Sequence, residues 1–405
     1  MALFVVISGP AYLYGQDSCP AQPPAEQNAP AAADPFADVH PSPAAVPGPA
    51  AQQSWFSRFI HDNFGFREEL MSEFTTNVNG SNGSRQSVGF EVLKKFSTDT
   101  ATVASFDFQG RFVRRDGYNP VLNDMEGATR PGWAFEYHNF YLDLYNIANP
   151  VLGERARSRN IGRFNFRAGH FYVPFGLNLQ TDTHGTLLQL SNGDNFGFDR
   201  DWYAGFWGAI NRHLNYDAYY MAGSGYDLAF RGQRGLAAVR LSLSNQYSSK
   251  YGIEGGISAV TGERLWEPMP ASGMANPASP PQPVPLQSRR IGIDARYRHT
   301  APAGLLTFTT ESSGGRDARD PVLMQLGQLE YLRSSRRWGL ATQYRRFSRD
   351  SLGVNEDIIG EFSWYFRNDV AGSNSHWIKL NVERRLQYFG RAPATIVALQ
   401  YYFYR

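Results

Sequence analysis

The chain has 405 residues, with 39 basic against 37 acidic side chains for a formal charge of +2, and one cysteine, Cys19. That balance provides no field to draw nucleic acid, and a lone cysteine excludes an intrachain disulfide framework or a cysteine-based metal cluster. Aromatic residues make up 14% of the chain, yet its mean hydropathy is −0.42. No segment approaches the roughly 18 consecutive apolar residues of a membrane helix.

Residues 1–15 begin with an apolar run, Ala2 to Tyr14, followed by Gly15-Gln16, the outline of a secretory signal peptide. The basic flank of such a signal is missing, since no Lys or Arg precedes Arg58, which leaves two readings open: a truncated signal, or an apolar segment that is not a signal. Residues 16–54 are Ala/Pro-rich and nearly uncharged, the composition of a disordered linker that packs no core. Residues 55–68 open with Trp55-Phe-Ser-Arg-Phe-Ile-His-Asp-Asn-Phe64, which sets Phe56, Phe59, Ile60 and Phe64 on one face of a short amphipathic helix or cap.

From 69 to 405 the helical period gives way to a period of two. Phe106, Phe108 and Phe112 alternate with Asp107, Gln109 and Arg111; Ile291, Ile293, Ala295 and Tyr297 alternate with Asp294, Arg296 and Arg298. Phe362, Trp364 and Phe366 alternate with Glu361, Ser363 and Tyr365, and Ile378, Leu380 and Val382 alternate with Lys379, Asn381 and Glu383. Successive side chains of a strand point to opposite faces, so each segment has one lipid-compatible and one wet face. The last strand, ending Tyr401-Tyr-Phe-Tyr-Arg405, puts Val397, Leu399, Tyr401 and Phe403 on one face, as a closing strand of a membrane barrel would.

The connections carry a second signal. Short links (211–214, 248–250, 300–303, 334–336) alternate with longer ones (174–202, 223–235, 262–287, 314–321, 348–356), and outer-membrane barrels have short turns at the periplasmic end and long loops outside. Parity requires an upward strand before the one at 86–96, and 70–78 supplies it. The expected fold is all-β: a transmembrane antiparallel β-barrel of about sixteen strands, with a range of about 14 to 18, and both termini in the periplasm.

The run Arg167-Ala-Gly-His-Phe-Tyr-Val-Pro-Phe-Gly-Leu177, with the strands Gly89-Phe-Glu-Val-Leu93 and Phe106-Asp-Phe108, resembles the phosphate-selective porin O/P family of outer-membrane channels, in which a Gly-Gln-Phe-Lys-x-Pro-Phe pattern leads from a strand into a long loop. The resemblance implies a sixteen-stranded trimeric channel of the Gram-negative outer membrane. In the phosphate-specific members of that family, lysines and an arginine ladder select the anion. Here His170 and Tyr172 stand at the motif's Gln and Lys, and Lys94, Lys95, Lys250 and Lys379 are the only lysines, which argues against phosphate specificity.

A sixteen-stranded barrel leaves an aqueous lumen, so inward-facing residues set selectivity. Alternation assigns Asp107, Arg111, Arg163, Arg167, Arg240, Glu254, Asp294, Arg296, Arg298, Glu311, Arg345, Glu361, Lys379, Glu383 and Arg385 to the lumen. Two readings stay open for them: an arginine-dominated anion filter, or arginine–carboxylate pairs bracing the wall. The loop 174–202, with Asp182, His184, Asp194, Asp199, Arg200 and Asp201, is the candidate constriction if it folds inward.

The functional expectation is a channel for passive diffusion of small hydrophilic solutes or ions, with at most a mild preference for anions. No cofactor or metal is expected. One alternative is a barrel that docks a periplasmic partner, such as a cytochrome, through its N-terminal extension; no Cys-x-x-Cys-His haem motif occurs in the chain itself. A hydrolase is the other, resting on Asp182 and His184, but no Gly-x-Ser-x-Gly nucleophile motif lies beside them.

Overall fold

The computed structural model describes residues 64–77, 82–97, 102–117, 132–148, 162–177, 187–211, 213–228, 230–244, 251–266, 283–368, 375–390 and 392–405. The expected signal and linker, and the helix up to residue 63, lie outside them. Sixteen strands follow in order: β1 (Gly65–Asn77), β2 (Asn82–Ser97), β3 (Thr102–Gly117), β4 (Trp133–Leu144), β5 (Asn165–Tyr172), β6 (Arg200–Ala209), β7 (Leu214–Met221) and β8 (Gly235–Ser244). The second half comprises β9 (Tyr251–Trp266), β10 (Val284–Ala301), β11 (Gly304–Asp317), β12 (Asp320–Arg333), β13 (Trp338–Arg349), β14 (Gly353–Asn368), β15 (Ser375–Tyr388) and β16 (Ala394–Tyr404). A short helix, α1 (Ser191–Phe196), lies between β5 and β6.

Every strand pairs with its sequence neighbours, and β1 pairs antiparallel with β16 from Glu69↔Tyr404 to Asn77↔Ile396, closing the sheet. The seam runs to the last residue: Glu68 N–H donates to the Arg405 carbonyl at 2.8 Å and Arg405 N–H returns the bond at 3.0 Å. Closure leaves no sheet edge to be satisfied in lipid. Gly65 to Glu68, expected in a helix or cap, are therefore the first residues of β1; their amides pair with Phe90 to Leu93 of β2, and that ladder outweighs local helical periodicity.

Alternation sorts the two faces. On β10, Ile291 and Ile293 are 68% and 62% exposed while Asp294 and Arg296 are 3% exposed. Phe74, Val88, Phe112, Phe206, Ile257, Phe308, Leu340, Phe362, Leu380 and Leu399 continue the exposed apolar belt around the barrel.

Loop lengths depart from the expected alternation. The links expected at 314–321 and 348–356 are tight turns of two and three residues, 318–319 and 350–352, because β11 to β14 stay hydrogen-bonded to their tips. At the opposite end, the β4–β5 connection spans 145–164 and is long. Likewise β9 and β10 run on to Trp266 and from Val284, so the expected loop 262–287 is partly ladder. Long connections cluster between β3 and β10.

Candidate channel constriction

The motif at the end of β5 turns the chain into the barrel. Within the motif Gly169 has φ +137°, and a Cβ there would lie 2.1 Å from the Phe140 carbonyl oxygen, so the close approach of β5 to β4 at this point requires glycine. After Tyr172 the backbone is tied to the wall, with Val173 N–H to the Asp199 carbonyl at 3.0 Å, Gly176 N–H to Ser258 Oγ of β9 at 3.1 Å and Leu177 N–H to Glu311 Oε1 of β11 at 3.3 Å. Phe175 lies against Gly292 of β10, where a Cβ would be 2.7 Å from its ring.

The returning leg crosses to the far strands. Asn381 Nδ2 of β15 donates to the Leu187 carbonyl at 3.3 Å, Leu187 packs on Ile396 and Ala398 of β16, and Leu188 packs on Ala341 and Ile359. Gln189 and Gln343 of β13 exchange two hydrogen bonds, each 3.0 Å. Ser191 Oγ donates to the second oxygen of Glu311 at 2.7 Å, so one carboxylate holds both legs. In α1, Asp194 meets Arg345 of β13 at 2.8 Å, and Ser313 Oγ donates to Asn195 Oδ1 at 2.8 Å. Burial raises the Asp194 carboxyl above the ordinary carboxylate range, with Arg345 acting in the opposite direction. The helix stops at Gly197, left-handed at φ 87°.

The root of this segment is dry. Val173, Phe175, Phe196 and Phe198 share one buried cluster with Tyr141, Phe171, Tyr203, Trp207, Tyr219, Met221 and Leu236 of β4 to β8. Arg167 and Arg240 face inward on β5 and β8 as expected, but most of the inner face around them carries rings. The signal was present in β6, where Trp202-Tyr203 and Phe206-Trp207 put aromatics on both faces, the pattern of a doubly covered strand.

The candidate wall residues fall into pairs. Arg111 lies 3.5 Å from Glu69; Arg167 from Asp143, 2.7 Å; Arg240 from Asp294, 2.6 Å. Glu254 takes Arg296 at 2.9 Å and Arg298 at 3.5 Å; Lys379 is 3.2 Å from Glu361, and Arg385 bonds Glu383. Arg345 bridges Asp194 and Asp357, the latter at 2.6 Å. Asp107 accepts from the Tyr141 hydroxyl at 3.3 Å. Arg163 is the exception: it sits exposed in the turn before β5, because the ladder starts only at Asn165.

The loop candidates separate likewise. Arg200 stacks on the Tyr172 ring, 4.0 Å from its centroid, and donates to its hydroxyl. Asp201 accepts backbone N–H bonds from Gly223, Ser224 and Gly225 at 2.6 to 3.2 Å, which makes it a cap for the β7–β8 connection. Asp199 is buried beside Arg200, while Asp182 and His184 lie outside the described residues. Missed in the sequence were Arg264, Arg290 and Asp317, whose position had been read as loop; among the described residues no group of three or more His, Cys, Asp or Glu side chains could hold a metal.

No family model matches the chain, and no curated protein does. Solved structures do. OprB of Pseudomonas putida aligns at 10% identity over 87% of this chain and 96% of its own, with a TM-score of 0.58. A loop L8 deletion mutant of OmpT, an outer membrane protein of Vibrio cholerae, aligns at 8% identity over 84% and 99%, TM-score 0.52. OmpF of Salmonella typhi, in complex with daunomycin, aligns at 9% over 85% and 98%, TM-score 0.50. What this chain shares with them is the fold, a closed antiparallel β-barrel.

Proposed function

We propose that this protein is an outer-membrane channel through which small hydrophilic solutes or ions diffuse passively, and that it catalyses no reaction. One observation carries the reading: a closed barrel, apolar outside and charged inside, holds residues 173–177 and 187–199 of the β5–β6 connection within its wall. The side of the barrel with the short β6–β7 and β10–β11 turns and both termini is the periplasmic one on this reading. Assembly as a homotrimer, and closer kinship with the phosphate-selective porin O/P family, rest on the sequence resemblance of Arg167 to Leu177 and of the strands at Gly89 to Leu93 and Phe106 to Phe108.

Selectivity follows from how the arginines are held. Those named above are largely neutralised by carboxylates, which favours a braced wall over an open cationic ring. Arg264, Arg290 and Arg349 share Asp317, with Asp320 on Arg349, so a local excess of positive charge supports a mild anion preference. Planar-bilayer recording tests both claims. Stepwise ohmic currents are expected, and silence from correctly folded protein would refute the channel. In a KCl gradient the reversal potential should fall on the anion side; a cation-selective value would refute the charge argument.

A further inference from the structure

We propose that Arg264 and Arg290 are positioning residues that hold the inward segment against the wall and so set the free cross-section of the lumen, an inference that rests on the channel reading. The two arginines reach the same place from adjacent strands. Arg264 of β9 donates from Nη1 to the Phe196 carbonyl at 2.6 Å, and Arg290 of β10 donates from Nη2 to the Asn195 carbonyl at 3.0 Å. These are carbonyls at the C-terminal end of α1, which lack intrahelical partners and carry the negative end of the helix dipole. Cations complement both.

The guanidiniums are themselves fixed. Arg264 Nη2 lies 3.1 Å from Asp317 Oδ2, Arg290 Nη2 lies 2.8 Å from Asp317 Oδ1, and Ser288 Oγ donates to the same carboxylate at 2.7 Å. Arg264 Nε donates to Ser288 Oγ at 2.9 Å, and Arg290 Nη1 donates to the carbonyls of Arg289 and Arg316. Asp317 is the last residue of β11, before a two-residue turn, so its carboxylate stands on rigid ladder. Arg264 uses separate arms of its fork for wall and helix, Nη2 for Asp317 and Nη1 for Phe196, while Arg290 shares Nη2 between Asp317 and the Asn195 carbonyl and ties Nη1 to the wall. A lysine, a point charge on a flexible stem, cannot bridge both.

Other parts of the segment are held by Glu311, Gln343 and Arg345, whose partners are side chains or lie nearer the tip. The arginine pair grips the turn where α1 gives way to β6. Replacing both arginines by lysine keeps their two positive charges and removes only the forked contacts, so it should move the segment rather than change which ion is preferred.

The test compares Arg264→Lys/Arg290→Lys with the native arginines, both carrying Cys19→Ser and Asn195→Cys. A water-soluble maleimide should label the new thiol slowly in the native-arginine protein and at least tenfold faster in the lysine variant, a change reporting release of α1 without any current. In bilayers the lysine variant should show higher unit conductance, more open-channel noise and an unchanged reversal potential. A folding defect would reduce the number of inserted channels instead. Adding Ser313→Cys and oxidising to a bridge should restore native conductance, and reduction should remove it again.

Equal labelling rates in both backgrounds would overturn the clamp, as would a formed bridge that leaves the conductance altered. Accelerated labelling in a protein that carries no current would uphold the clamp and sink the channel reading.

Discussion

The stretch from β4 to β8 and the stretch from β10 to β16 are built on opposite terms. In the first, β5 and β7 have 8 residues each, β6 and β8 have 10, and the inner face carries Tyr141, Phe171, Tyr203, Trp207 and Tyr219. In the second, β10 has 18 residues and β14 has 16, and the inner face carries Asp294, Glu311, Gln343, Arg345, Glu361, Lys379 and Glu383. The two described legs of one connection, 173–177 and 187–199, touch both. They are rooted in the aromatic side by burial and pinned to the charged side by hydrogen bonds and ion pairs. Burial is non-directional and gives adhesion; polar bonds are directional and give position.

The largest effect should come from the root. Phe175→Ala removes a fully buried ring that meets Phe196 at 5.3 Å between centroids, and should cost about 3–5 kcal/mol while loosening the segment. Chemical unfolding in detergent, with conductance recorded alongside, checks it; a loss below about 1 kcal/mol would show that the aromatic side does not anchor the segment.

Next in size, Ile293→Arg puts a charge on the lipid face of the long-stranded side and should cost about 2–4 kcal/mol if this face is at mid-membrane. Folding yield into bilayers of matched thickness measures it. An unaffected yield would place Ile293 outside the hydrocarbon.

A polar pin should matter less to stability than to position. Asp194→Asn strips Arg345 of one of its two carboxylates and should cost about 1–3 kcal/mol. Current noise should rise without a loss of inserted channels, and a quiet, native-like trace would remove Asp194 from the pinning set. Smallest of all, Arg163→Ala at the exposed turn should change stability by no more than about 0.5 kcal/mol and leave the reversal potential where it was. A shift in that potential would return Arg163 to the conduction path.

How much of this could be read in advance differs between the same two regions. From β10 to β16 alternation is clean, and the inward residues Asp294, Arg296, Arg345, Glu361, Lys379 and Glu383 are where period-two counting puts them. From β4 to β8 the alternation is blurred, because strands covered on both faces need apolar residues on both. The register shift between Gln109 and Gly110 on β3 further moves the count on β4, where both His138 and Asn139 are buried. Arg163 was misplaced by a strand boundary, and Asp317 by a loop that is in fact ladder.

By itself the sequence determined the closed β architecture, the lipid-facing belt, the strand that parity required before β2 and the pairing of the C-terminal strand with it. These follow from a period of two and from the need to satisfy every backbone group in lipid, both of which are local or counting properties. Only the tertiary structure decided that 173–177 and 187–199 lie inside, which carboxylate holds which arginine, and that Arg264 and Arg290 close on the end of α1. Gln189 and Gln343 are 154 positions apart, and Arg264 and Phe196 are 68 apart. No local periodicity encodes such a meeting; it depends on how the closed wall and the dry aromatic root together leave one place for the segment to lie.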